Sequence, residues 1–458
     1  MSFSPDFRWG IATSAYQVEG ATTEGGRGPT DWDDFALRPG SIRGGDTADI
    51  AADHYHRSEE DFDLLADLGV DTYRLSIAWT RIMPAGIGSV NQEGLNFYSR
   101  LIDSLVERGI TPFVTLNHME LPLPLSQQGG WTNRQTIDAF VEYATVVHEA
   151  LFDRVRHWST LNEVSLATWA GYGTKVFPPA LNDTRLVLPA IHHQMVAHAR
   201  TVARLRRVQP DGNFGIVGSY FPMWPLEDGD EHVAAANTAD LLCNRSCVDV
   251  LVDGAYPTEL LEWHASIGGA DFIEPGDLDD AAGSLDFYGL NYYCPSYIVA
   301  AAEGDSGPML PAGLGFRQAD PKGLPMTSFG WPIVPEGLRS NLLTLQERYA
   351  LPIWITENGG AFEDAISPNG EVDDRDRIDY LRSHLEVLSA TIDEGVDVQG
   401  YIAWSLVDNF EWAEGYSMRF GLAHVDFATQ KRTPKASFAW YRDHIAGVRS
   451  IAPDRRTR

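Results

Sequence analysis

Two glutamates each close an apolar run: Glu163 in TLNEV and Glu357 in IWITENG. A carboxylate directly after such a run is costly to bury unless it is solvated, hydrogen-bonded or paired. A pair of carboxyl groups can cleave a glycosidic bond: one, held protonated, donates to the leaving oxygen, and the other, ionised, attacks the anomeric carbon. Burial raises one pKa, and a cation lowers the other; Arg74 in YRLSIAW is the candidate cation. Taken singly, either glutamate could as readily cap a helix or pair with an arginine. Two of them, each at the end of an apolar run with polar company, favour chemistry.

That company is Gln17, Arg74, His118, Asn162, Asn291, Tyr293 and Asn358, with Trp404 in a last apolar run and Asp408, Glu411 and Trp412 after it. Gln17, His118, Asn162 and Glu411 are of types that bind sugar hydroxyls, and Trp and Tyr rings suit the apolar faces of pyranoses. In TLNHMELP, His118 and Glu120 stand two apart and would point the same way on an extended backbone. Metal ligation, acid/base work and a plainer role are all open at that point.

Other chemistries find less support. A barrel aldolase needs a Schiff-base lysine; the four lysines, Lys175, Lys322, Lys431 and Lys435, end none of the apolar runs. Metal hydrolysis needs several His and Asp at such ends, and only His118 qualifies. His54–His56 and His192–His193 fall in helical or loop surroundings, where packing or surface roles are expected. Cys243 and Cys247, four apart, lack further ligands for zinc, and three cysteines in all suggest no disulfide framework. No Gly-rich phosphate loop is present.

The elements that must position these residues alternate. Eight β-rich runs, residues 8–16, 72–78, 112–118, 157–163, 213–220, 286–293, 353–357 and 398–405, read as strands. Amphipathic stretches between them, at 58–69, 93–109, 336–349 and 375–395, read as helices with glycine stops at Gly69, Gly109 and Gly395. Eight strand–helix units predict an α/β fold, a single (β/α)8 TIM barrel with extended βα loops over residues 1–458. Functional side chains of such a barrel gather at the C-terminal strand ends. Residues 269–283 and 304–330 read as inserted loops, and the tail at 452–458 as frayed.

A formal net charge of −29 disfavours nucleic acid and anionic lipid as partners. No run nears the ~18 apolar residues that a membrane span requires. The start carries no basic-then-apolar leader, so a cytoplasmic location is the default expectation. A homo-oligomer is left open.

The chain resembles glycoside hydrolase family 1, of the bacterial β-glucosidase type. The blocks that carry the resemblance run from FRWGIATSAYQVEG (residues 7–20) through DFYGLNYY (286–293) and ITENG (355–359) to AWSLVDNFEWAEGYSMRFGL (403–422). The resemblance implies retaining hydrolysis of a small-molecule β-glycoside by double displacement, with no cofactor and no metal. Glu357 would be the nucleophile and Glu163 the acid/base. Arg74 and Tyr293 would contact the nucleophile, and Asn162 would bind the sugar 2-hydroxyl. Gln17, His118, Asn291, Glu411 and Trp412 would also bind substrate. Trp404 would underlie the ring, and Trp331 would form the platform for the leaving group.

Three positions depart from the family pattern: Val164 where a proline is usual, Met119 where a tryptophan is usual, and Glu120 where an aspartate is usual. Met119 falls in the sugar site by analogy and puts sugar specificity in question. The alternatives carried beside a β-glucosidase are a diglycosidase on 6-O-substituted β-glucosides, a 6-phospho-β-glucosidase, and a catalytically weak carbohydrate-binding protein. Retention of Glu411 argues against the phosphate reading, since a carboxylate repels phosphate; Arg419 is a reason for caution.

Overall fold

The computed structural model describes residues 3–302 and 304–451; the tail expected to fray lies outside them. All eight apolar runs form strands: Arg8–Ala12, Thr72–Ser76, Thr111–Asn117, His157–Asn162, Asn213–Ser219, Phe287–Asn291, Ile353–Glu357 and Val398–Trp404. They pair in chain order into a closed barrel, and the first strand pairs in parallel with the last. The strands are buried almost throughout, which is why they read as near-continuous apolar runs rather than alternating ones.

Helices cover the barrel where amphipathic periodicity placed them, including His54–Leu68, Gln92–Glu107, Pro335–Tyr349 and Arg375–Asp393. Asn91 caps the second by accepting from the Glu93 amide at 3.2 Å. The first begins four residues earlier than expected, with His54 buried and bonded to Asp61. It ends at Gly69 with φ 71°, the left-handed stop that the glycine predicts.

Strand ends are shorter than the apolar runs suggest. The first run is extended only to Ala12, because the Ala15 amide donates to Ser76 Oγ at 2.7 Å and Ala15–Val18 coils into a helical turn. The third and fourth strands stop at Asn117 and Asn162, so His118 and Glu163 stand one residue beyond them. Residues 269–283 carry no helix or strand. Within 304–330, Phe316–Gln318 joins Met223–Pro225 and Ser296–Ala300 in a three-stranded sheet beyond the ends of strands five and six.

The seventh and eighth strands meet closely beside the mouth: a Cβ on Gly359 would lie 2.1 Å from the Trp404 carbonyl oxygen. Asn358 donates to the Tyr292 carbonyl at 2.7 Å and accepts from the Tyr401 hydroxyl at 2.7 Å. It therefore ties three strand ends together. Behind the last loop, Lys435 and Arg419 bind Asp408 at 2.7 and 2.5 Å. Burial pushes the Asp408 carboxyl up, but these two cations outweigh it and hold it below the usual carboxylate range. A second apolar cluster at the mouth, built on Tyr16, Trp32, Phe177, Phe410 and Trp412, has Met119 packed against it.

Candidate active site

Glu357 is the last residue of the seventh strand and is buried. One carboxylate oxygen accepts from Arg74 and the other from the Tyr293 hydroxyl at 2.7 Å. Arg74, itself 1% exposed, spreads its guanidinium further, to Asn162 Oδ1 at 2.6 Å and Thr115 Oγ1 at 3.2 Å. A cation and a hydroxyl aimed at one carboxylate are complementary to its ionised form. Coulomb repulsion from Glu357 and Glu163 together with burial raises the Tyr293 phenol well above its ordinary pKa, with burial the larger cause, so Tyr293 stays a donor.

Glu163 follows the fourth strand with φ 50° and ψ 46°, at the start of the helix Val164–Thr168. Its amide donates to the Val217 carbonyl at 2.8 Å, which anchors the turn. Val164 takes the first helical position, where a proline would forfeit no helical hydrogen bond; the turn into the helix forms without one. Asn291 donates to Glu163 Oε1 at 2.9 Å and is itself held by Thr356 Oγ1 at 2.8 Å. Burial and then the Glu357 charge push the Glu163 carboxyl up to about 8, against the opposing pull of Asn291 and Arg74. Two carboxyl groups in one mouth thus sit in opposite surroundings, one with a cation and one desolvated against a like charge.

The remaining residues expected in the site form its rim. Asn162 Nδ2 lies 3.2 Å from His118 Nε2. The His118 ring is flanked by Trp404 and Trp412, with centroids 5.9 and 6.1 Å away and planes within 15°. Burial and Arg74 hold the imidazole well below its ordinary pKa, so it is neutral. With Nε2 accepting from Asn162, Nδ1 carries the proton and is a buried donor with no partner among the described residues. Gln17 Nε2 donates to Glu411 at 3.3 Å and to the Phe410 carbonyl at 3.0 Å, and Ser14 donates to Gln17 Oε1 at 2.7 Å. Trp331 is half-buried, 5.2 Å from the Tyr293 ring, and stacks on Phe329 at 4.1 Å.

Glu411 requires a correction. Burial, followed by the charges of Glu357, Glu163 and Glu414, pushes its carboxyl up to about 8. Near neutral pH it is largely uncharged, so repulsion by Glu411 is a weak argument against phosphate. A better one is that Arg419 is committed to Asp408 and the Val425 carbonyl, and Lys435 is buried between Asp364 and Asp408.

Glu120 lies in the loop after the third strand, as a residue buried there rather than facing solvent. It is 1% exposed, and both carboxylate oxygens lack a hydrogen-bond partner among the described residues. Burial, with Asp31 and Glu19 adding to it, raises its pKa well above the carboxylate range. Met119 between them takes φ 74°, which turns His118 and Glu120 apart despite their spacing.

Sequence reasoning missed Ser14, Thr115, Thr356, Phe329 and Asn409, whose Oδ1 accepts from Gln17 Nε2 at 3.3 Å. Ser14 alone carried a local signal, a hydroxyl three residues before Gln17. Thr115, Thr356 and Asn409 lie on different elements from their partners, and Phe329 stands two residues before Trp331 with nothing in the sequence to mark the two rings as stacked. No group of three or more His, Cys, Asp or Glu placed to hold a metal occurs among the described residues. No helix there is long and apolar enough to cross a membrane.

Comparison with known proteins places this site in context. The profile of a family described as glycosyl hydrolase family 1 matches residues 1–448. β-Glucosidase A of Thermotoga maritima is 42% identical over 441 residues, covering 96% of each chain. A 6-phospho-β-galactosidase of Clostridium acetobutylicum is 40% identical over 463 residues, again with 96% of each covered. The crystal structure of a psychrophilic β-glucosidase from Micrococcus antarcticus superposes with a TM-score of 0.93 at 41% identity, over 98% of both chains.

Proposed function

The chain belongs to glycosyl hydrolase family 1, and on that premise we propose that it is a retaining β-glycosidase acting on β-glucosides, with its whole length serving as one catalytic barrel domain. The observation that carries the reading is the contrast between the carboxyl groups. Glu163 is driven towards its protonated form by burial and by Glu357, while Glu357 is held by Arg74 and Tyr293.

In the first step Glu357 attacks the anomeric carbon, and the bond to the leaving oxygen breaks as Glu163 gives that oxygen its proton. A covalent glycosyl-enzyme and a free alcohol result. In the second step Glu163, now a carboxylate, takes a proton from water as the water oxygen attacks the anomeric carbon. The glycosyl–Glu357 bond breaks, and both carboxyl groups return to their starting forms. Asn162, bonded to Arg74, is set to hold the hydroxyl next to the reacting carbon. His118, Gln17, Glu411 and Trp412 line the rest of the sugar, Trp404 lies beneath it, and the Trp331–Phe329 pair faces the leaving group.

The name of the clostridial relative favours a second reading, hydrolysis of 6-phosphoglycosides. The commitment of Arg419 and Lys435 to buried aspartates argues against it. The test is a panel of 4-nitrophenyl β-glycosides, plain and 6-phosphorylated, with NMR of the first-formed anomer. The β-glucoside should be preferred and should give the β-anomer first; an α-anomer first, or preference for the phosphorylated form, would reverse the assignment. A cytoplasmic site of action belongs to the same proposal and is open to cell fractionation.

A further inference from the structure

A cavity of about 10 Å3 is lined by Tyr16, Glu19, Thr22, Arg27 and Glu120, with small residues completing its wall. Glu120 is 1% exposed and Tyr16 5%. Both Glu120 carboxyl oxygens and the Tyr16 hydroxyl are buried polar atoms with no hydrogen-bond partner among the described residues. Leaving such atoms unsatisfied is costly. Three of them, on two residues that line one cavity, point to an occupant.

Size and chemistry select that occupant. A water needs roughly 10–15 Å3 of such space and two to four polar partners. The cavity meets the first requirement at its lower bound, and Glu120 and Tyr16 meet the second. Burial, then the Asp33 charge, raises the Tyr16 phenol well above its ordinary pKa, so it stays a donor. Glu120, raised chiefly by burial, keeps its proton and can both donate and accept. A cation is a poorer fit. Arg27 lines the same space, and Arg81 lies 2.7 Å from Glu19 in its wall. The Asp33 and Glu19 carboxylates are already bound by those two arginines.

The two partners belong to different strand ends. Glu120 stands two residues after His118, in the loop that follows the third strand. Tyr16 stands directly before Gln17, in the helical turn Ala15–Val18 that follows the first. The Tyr16 ring lies parallel to that of Trp412, with centroids 5.9 Å apart and planes within 3°. A molecule held between Glu120 and Tyr16 therefore joins the segments that carry His118 and Gln17, and it fixes the ring that stacks with Trp412.

We propose that this cavity binds one water molecule bridging the Glu120 carboxyl and the Tyr16 hydroxyl, and that through it Glu120 and Tyr16 act as positioning residues for His118, Gln17 and Trp412. The positioning role rests on the glycosidase reading above; the water does not.

The test of the water is a crystal structure of the wild type that resolves ordered solvent, with crystals soaked in rubidium chloride. Density for one water within hydrogen-bond distance of both groups, without an anomalous signal, is expected. An empty cavity, or a rubidium peak in it, overturns the proposal. The positioning role is tested by kinetics on 4-nitrophenyl β-D-glucopyranoside. Tyr16→Phe and Glu120→Met each remove one partner of the water, whereas Glu120→Gln keeps one. The first two should raise KM by about 2–10-fold, the range for one lost hydrogen bond, with kcat changed less. Glu120→Gln should return KM to within about twofold of the wild type. Should Glu120→Met not fold, Tyr16→Phe carries the test. A KM that Tyr16→Phe leaves unchanged overturns the positioning role, as does a Glu120→Gln enzyme as impaired as Glu120→Met. A wild type inactive on the glucoside would instead remove the glycosidase reading and the positioning role with it, and the density alone would then decide the water.

Discussion

The Tyr293 hydroxyl donates to Oε2 of Glu357 at 2.7 Å, while Arg74 holds the other oxygen of the same carboxylate. Tyr293→Phe should remove one hydrogen bond to a charged group, worth about 1.5–3 kcal/mol, or roughly 10–150-fold in rate. The loss should fall on kcat more than on KM, because the bond matters while charge leaves Glu357 and returns to it. Steady-state kinetics on an aryl β-glucoside would show it, and a pure KM effect would contradict the assignment.

Glu357→Gln should abolish turnover outright. Glu163→Ala should lose about 10²–10⁴-fold on substrates with poor leaving groups, much less on those with good ones, and should be partly rescued by azide. The product of rescue should be the β-glycosyl azide, identified by NMR. A mutant that azide cannot rescue would count against Glu163 as the acid/base.

The acid form of Glu163 is the one that donates, and its carboxyl is pushed up to about 8 by burial and then by Glu357. Activity should therefore fall as pH rises through that value. In Glu357→Gln the like charge is gone, so Glu163 should titrate at lower pH, which carbon-13 NMR of labelled glutamate would follow without needing turnover. Glu411 also titrates near 8, and a Glu411→Gln control separates the two. An unchanged Glu163 titration in Glu357→Gln would refute the coupling.

Glu120 is buried, its carboxylate oxygens have no hydrogen-bond partner among the described residues, and its pKa is raised well above the ordinary range by burial, Asp31 and Glu19. The folded state therefore binds a proton that the unfolded state gives up near pH 4.3. Its stabilising effect is complete below that pH and is lost as pH rises towards the folded value, by about 1.4 kcal/mol per pH unit. Glu120→Gln should remove this loss. Its thermal midpoint relative to the wild type should climb between pH 5 and pH 8, and a difference independent of pH would show that Glu120 is not buried protonated.

The barrel was legible because its strands, buried on both faces, are short apolar runs, and its helices carry a clear amphipathic period with glycine stops. The strand ends were less so. Whether residues 13–16 extend or coil depends on Ser76, 61 positions from Ala15, accepting from the Ala15 amide. Residue types at strand ends pointed to Glu163, Glu357, Arg74 and the rim. The protonation of Glu411 was out of reach, because it depends on burial and on Glu357 and Glu163, which only the folded chain brings near, as well as on the neighbouring Glu414. The surroundings of Glu120 were out of reach for a related reason: its spacing from His118 left several roles open, and the left-handed residue between them, Met119, breaks the extended geometry on which a shared face would rest.

Gln17 and Glu411, which close the rim, are 394 positions apart, and the strands that carry them to the mouth are the first and last of the barrel, which pair with each other. A nascent chain thus has no sugar site until its eighth strand has been released from the ribosome. Until then the growing sheet keeps two unpaired edges, the kind of surface on which strands of other chains add. High sequence separation also slows the closing step, so synthesis, rather than the finished enzyme, is the stage at which this protein is most exposed to aggregation. A chain aborted before Val398 would be an open sheet seeking a partner, with no residual fraction of the activity.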